Sequence, residues 1–200
     1  MSFGSRYEEA VRRFDAENSR DPHRVEVDGV AYPQELIYSQ RLTDWVLRLS
    51  PQASEPLLLA ARCQHVCRWM IPRSSYEMTR AGYLRWRSDL KQFHAQKSAE
   101  ILREVGYPDE IIARVQELNL KKNLGHDPEC QALEDALCLV TLQYQLGDLM
   151  DKTESEKMIG ILRKTWKKMS SAAHKHAHRL PFSPREAELI RQALAGDTAE

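Results

Sequence analysis

Apolar positions recur at three- and four-residue intervals along most of the chain, the period of an amphipathic helix. Tyr7, Ala10, Val11 and Phe14 open the pattern and Asp21-Pro22 ends it. Residues 19–34 read as a connector, within which Val25-Glu26-Val27-Asp28-Gly29-Val30 alternates around an Asp-Gly turn and predicts a small hairpin. Pro33 sets the start of a helix over 34–49 that offers Leu36, Tyr38, Leu42, Trp45, Val46 and Leu49 to a core. Ser54-Glu55-Pro56 reads as a capped entry into a helix from Leu57 to Trp69 that is apolar almost all round. Such a helix belongs at the centre of a bundle, so Arg62, Gln64 and His65 on it need partners. A long helix is expected from Ser75 to Val105 with Gly106 as its cap, then 108–120. An apolar helix from Asp127-Pro128 through Leu149 follows, and Glu154–Met169 and Ser183–Ala195 supply the last two. The fold class expected is all-α: one compact helical bundle over residues 1–200 with a small hairpin near the N-terminus.

Composition narrows the class without naming an activity. With 200 residues, 42% hydrophobic and 29% charged, the chain can bury a sizeable core, and one domain is the default. The formal net charge of +0 provides no long-range field toward nucleic acid or membrane, so any anion it binds must be held by local clustering. No stretch reaches the roughly 20 apolar residues of a membrane span. Met1–Ser5 leads into charged residues, and a cytoplasmic location is expected. Cys63, Cys67, Cys130 and Cys138 read as reduced, buried side chains. A glycine-rich phosphate loop, a GxSxG elbow and an HExxH helix are all absent.

The chemistry-bearing residues lie on three of the expected helices. Arg80, Arg87 and His94 recur every seven residues with Lys91 beside them, so the four share one helix face. Arginine forks pair bidentately with phosphate or carboxylate, and a small anionic or phosphorylated ligand is the partner such a stripe suggests. Arg62, His65 and Arg68 fall within two turns of the preceding helix, and Lys122 is a further candidate contact. Glu134 and Asp135 interrupt the apolar run from Ala132 to Val140. A carboxylate there is either one half of a structural ion pair or a metal ligand or general base. His174, His176 and His178 form a further tract whose first and last members share a helical face.

The stretch from Phe93 to Pro108, with His94 opening it, and the order of the helices resemble the HD superfamily of metal-dependent phosphohydrolases. The resemblance covers a core of about residues 34–145, with the helices over 154–195 packed on it. It implies a divalent metal held by Gln64, His65, His94 and Asp135, with Glu134 assisting and Arg62, Arg68, Arg80, Arg87, Lys91 and Lys122 binding the phosphorylated substrate. His94 and Asp135 match that superfamily's pattern; Tyr38, Gln64 and His65 stand where it has His, His and Asp. A metal would lower the pKa of a bound water and stabilise charge on phosphoryl oxygens. The departures leave room for an alternative, a non-catalytic anion- or nucleotide-binding module without metal, and for a third, a satisfied buried network. Arg62-Cys63-Gln64-His65, Tyr83-Leu84-Arg85-Trp86-Arg87 and Lys121-Lys122-Asn123-Leu124 also resemble, with nearly the whole chain, an uncharacterised family catalogued as a domain of unknown function.

Overall fold

The computed structural model describes residues 3–195 and consists of α-helices with one two-stranded hairpin, as the periodicity predicts. It divides into two compact units, Met1–Cys130 and Gln131–Glu200.

The first unit contains α1 (Ser5–Asn18), β1 (Arg24–Val27), β2 (Val30–Pro33), α2 (Gln34–Leu49), α3 (Glu55–Cys63), α4 (Arg80–Val105) and α5 (Asp109–Leu120). Helix α3 packs against α1, α2 and α5, and α4 against α1 and α5. Phe14, Leu42, Leu57, Leu59, Leu90, Leu102, Ile112 and Leu118 are almost completely buried and form its core. Burying a leucine or phenylalanine side chain is worth about 1.5–3 kcal/mol, which is why these positions set the packing of the helices. The hairpin pairs Arg24 with Pro33 and Val27 with Val30. Asp28 and Gly29 take φ of 51° and 78°, the left-handed pair of a type I′ turn, whose twist suits a two-residue hairpin loop.

In the first unit two boundaries differ from the periodicity, and both shape the site. Helix α3 stops at Cys63, although apolar residues continue to Trp69. Cys67 adopts a left-handed φ of 56° and donates its N–H to the Asn18 side chain at 3.3 Å. The Val66 carbonyl accepts instead from His94 at 2.9 Å, and Arg68–Met70 forms a single 3₁₀ turn. Partners from α1 and α4 thus replace the helical ladder, and His65 and Arg68 leave the helical phase. Helix α4 begins at Arg80 instead of Ser75, because Thr79 accepts from the Gly82 N–H at 3.1 Å as its cap. Arg73 ties the preceding loop together by donating to the carbonyls of Tyr76, Glu77 and Thr79 at 3.0, 2.6 and 3.3 Å. Gly82 is required there: a Cβ at that position would lie 2.2 Å from the Glu77 carbonyl oxygen.

Helix α6 (Pro128–Tyr144) leads into the second unit, which continues with α7 (Leu146–Asp151), α8 (Ser155–Lys168), α9 (Ser171–Ala177) and α10 (Pro184–Ala195). The expected continuous helix to Leu149 breaks at Gln145, and α9 is an element the apolar pattern does not separate. Its start is local chemistry, with Ser170 accepting from the Ala173 N–H at 3.2 Å. Leu133, Leu139, Leu146 and Met158 are buried, and α8 packs on α10. All four cysteines are buried, and none is in a disulfide. Among the described residues, no helix is long and apolar enough to cross a membrane.

Candidate functional site

The unwound segment after α3, the start of α2 and the first turns of α4 surround a cavity of about 210 Å³ in the first unit. Its polar lining comes from Arg68, Glu35, Gln34 and His23, and its apolar lining from Trp69, Trp86, Ile71 and Pro72. Trp86 is fixed by its indole N–H, which donates to the Ile71 carbonyl at 2.9 Å. The Arg68 guanidinium lies over the Trp86 ring, 4.9 Å from its centroid, and 3.7 Å from a Glu35 carboxylate oxygen. A guanidinium over an aromatic face is held in orientation without using its N–H donors. Its fork makes no hydrogen bond among the described residues. Arg73 also lines the cavity, but its fork is spent on the three loop carbonyls.

Behind the cavity wall sits a buried polar cluster. Glu35 is only 4% exposed, one of its carboxylate oxygens has no hydrogen-bond partner, and that oxygen lies 3.4 Å from His65 Nδ1. Burial pushes the Glu35 carboxyl up to about 7, with Asp21 adding to the rise and Arg68 opposing it. The His65 ring stacks on Tyr38 at 4.3 Å between centroids and lies 5.6 Å from the His94 ring. Burial first, then the charges of Arg68, Arg87 and Lys121, holds His65 well below the ordinary histidine range, so it is neutral. His94, buried and beside His65, is lowered to about 3. Because a carbonyl can only accept, His94 Nδ1 carries the proton it gives to Val66, and the lone pair sits on Nε2. That Nε2 is buried and without a hydrogen-bond partner.

The residues singled out by sequence therefore separate into groups. His65, His94 and Arg68 come together, with Arg87 exposed yet close enough for its charge to act on both histidines. Gln64 is buried with its carbonyl oxygen unpartnered. Arg62 is committed elsewhere, in a bidentate pair with Asp15 at 2.7 and 2.6 Å. Arg80 and Lys122 are exposed, and Lys91 is half-buried on α4. Asp135 and Glu134 belong to the second unit. There the Asp135 carboxylate accepts from the Ser170 N–H and hydroxyl at 2.8 and 2.5 Å and from the Gln131 amide at 2.9 Å. Glu134 lies 3.6 Å from Lys168 Nζ. His174 stacks on Trp166, 4.5 Å between centroids, and His178 meets the same ring edge-on.

The metal centre implied by the HD resemblance can be tested on these side chains. Among the described residues, no group of three or more His, Cys, Asp or Glu side chains is arranged to hold a metal ion. Of the implied ligands, His94 offers Nε2 as a ligand nitrogen, its other nitrogen being fixed by a carbonyl. Within the first unit, His65 and His94 fall short of the three or more protein ligands that a tetrahedral or octahedral site ordinarily needs.

Glu35, His23 and Asp21 are the functional candidates that sequence reasoning missed. Glu35 follows Pro33 in a first helical turn, where an acidic residue ordinarily faces solvent. The one local signal was Asp21-Pro22-His23, a spacing that lets the aspartate bond the histidine two residues on.

The sequence model of one family, described as Domain of unknown function (DUF4202), matches residues 8–190. The chain belongs to this family. No similar curated protein and no similar solved structure was found. The DUF4202 match runs from α1 into α10 and so takes in both units, the cavity and the Asp135–Ser170 contact.

Proposed function

We propose that the first unit is a binding module for a small anionic ligand, a phosphorylated molecule or nucleotide, held without a metal. Arg68 carries the reading: a guanidinium fixed on Trp86, facing a cavity, with its hydrogen-bonding edge unspent. Arg87 and Lys121 add positive charge to the same neighbourhood. The cavity volume accommodates a phosphate with a small organic group. Charge-assisted bonds from a planar fork to a phosphate or carboxylate are the strong, geometrically specific kind.

The test is thermal unfolding in a chelator with inorganic phosphate, pyrophosphate and nucleoside monophosphates. Anion-dependent stabilisation is expected in the wild type, following the mass-action rise of about 2.7 kcal/mol at a hundredfold excess over Kd. Arg68→Ala should abolish it, and Arg68→Lys should restore little because the fork is lost. A response equal in wild type and Arg68→Ala sinks the reading.

A second reading, an HD-like metal-dependent hydrolase acting on a phosphorylated small molecule, rests on the unpartnered His94 Nε2. Its test is elemental mass spectrometry on untagged protein purified without chelator, wild type beside His94→Ala. About one divalent metal per chain, lost in the variant, would establish it. A metal-free wild type leaves the anion module as the account.

A further inference from the structure

Resting on the phosphate-binding reading above, we propose that the same cavity is a phosphoryl-transfer site in which His23 Nε2 is the nucleophile and Glu35 moves the proton. The first ground is how His23 is held. Asp21 is 1% exposed, and one of its oxygens accepts both the His23 backbone N–H at 2.9 Å and ring Nδ1 at 2.8 Å. The other Asp21 oxygen accepts the Glu35 N–H at 3.0 Å, and the Gln34 N–H donates to the His23 carbonyl at 3.0 Å. A carboxylate only accepts, so Nδ1 carries a proton, and in the neutral ring the lone pair is on Nε2. The ring sits on a rigid joint between the hairpin and α2. Its side chain is 61% exposed and lines the cavity.

The second ground is the placement of Glu35. Glu35 lines that cavity with one carboxylate oxygen 3.7 Å from Arg68, its other oxygen being buried 3.4 Å from His65 Nδ1. The groups facing it are Arg68, Asp21, His23, Gln34 and His65, and burial outweighs their combined effect, so its carboxyl both holds and releases a proton near neutral pH.

The step balances. Arg68 holds the non-bridging oxygens of a phosphomonoester, as a guanidinium does in phosphoryl transfer. The His23 Nε2 lone pair forms an N–P bond as the P–O bond to the alcohol breaks, and the departing oxygen takes the Glu35 proton. Water then attacks phosphorus, the N–P electron pair returns to Nε2, and the proton from water goes back to Glu35. The sum is one ester and one water converted to alcohol and phosphate, with both side chains restored.

The probe is phosphoramidate, a small phosphoryl donor, applied to the full chain in chelator. Phosphohistidine is read by ³¹P NMR and by mass spectrometry at neutral to alkaline pH, and phosphate release is followed alongside. His126 is exposed and serves as the internal reference for unassisted labelling. Label should concentrate on His23 and be lost in H23Q, whereas H126Q, at an exposed residue outside the cavity, should keep both the His23 label and the phosphate-induced thermal shift. E35Q should cut phosphate release by roughly a hundredfold, the scale of a lost proton donor. Equal labelling of His23 and His126, with the thermal shift intact, overturns this inference and spares the binding reading. Absence of the thermal shift in the wild type overturns the binding reading itself.

Discussion

Arg68 is available because two neighbours orient it without consuming its donors. Trp86 supplies a face and Glu35 a carboxyl 3.7 Å away, whereas Arg62, six residues earlier, is locked bidentately to Asp15. The two arginines look alike in sequence, and only the fold separates a structural fork from an open one. Asp135 makes the converse case. Its carboxylate holds Ser170, which in turn caps α9, so Asp135→Ala should destabilise the protein by about 2–3 kcal/mol, the cost of stranding hydrogen-bond partners of a buried charge. Chemical denaturation measures that loss, and phosphate-induced stabilisation should survive in the variant. Loss of the phosphate response at unchanged stability would contradict this assignment.

At the scale of elements, the site depends on two places where a helix does not form. The apolar run after α3 continues to Trp69, yet Cys67 turns left-handed, and Asn18 and His94 take the backbone groups a helix would have used. The loop before α4 is closed by Arg73 on three carbonyls and by the contact of Gly82 with Glu77. Gly82→Ala should therefore cost about 1–3 kcal/mol, since a Cβ 2.2 Å from a backbone oxygen forces the loop to move. The loop also carries Pro72 and Arg73 to the cavity, so the variant's phosphate response should weaken with its stability. Differential scanning fluorimetry with and without phosphate reports both. A variant as stable as the wild type would mean the loop yields freely.

For the whole molecule, the buried cluster writes a signature on stability against pH. Glu35 is raised from 4.5 to about 7, so its contribution is full below pH 4.5 and is lost as pH rises to about 7, roughly 3 kcal/mol at 1.36 kcal/mol per unit. His94 is lowered from 6.5 to about 3, so its contribution is full above pH 6.5 and is lost as pH falls, on the order of 5 kcal/mol by pH 3. His65 acts in the same direction as His94. Between pH 4.5 and 6.5 the two trends oppose each other. Glu35→Gln should remove one of them, giving a steeper rise in stability over that window and a higher stability than wild type at pH 8. Urea titrations at half-unit pH steps check this; parallel wild-type and variant curves would place Glu35 outside the cluster's proton balance.

The helical class, the Asp28-Gly29 hairpin, the Ser54 and Gly106 caps and most of the core were legible along the chain, because each follows from local periodicity or from one residue's backbone preference. His65, His94 and Arg68 were legible as charged or titratable groups in apolar surroundings. Their grouping with Glu35, His23 and Trp86 was not, since those residues come from four separate stretches whose meeting depends on where α3 stops. Periodicity reports which side of an element is buried. Which polar groups then share a buried volume is decided by long-range backbone partners such as Asn18 and Val66, and these leave no period in the sequence.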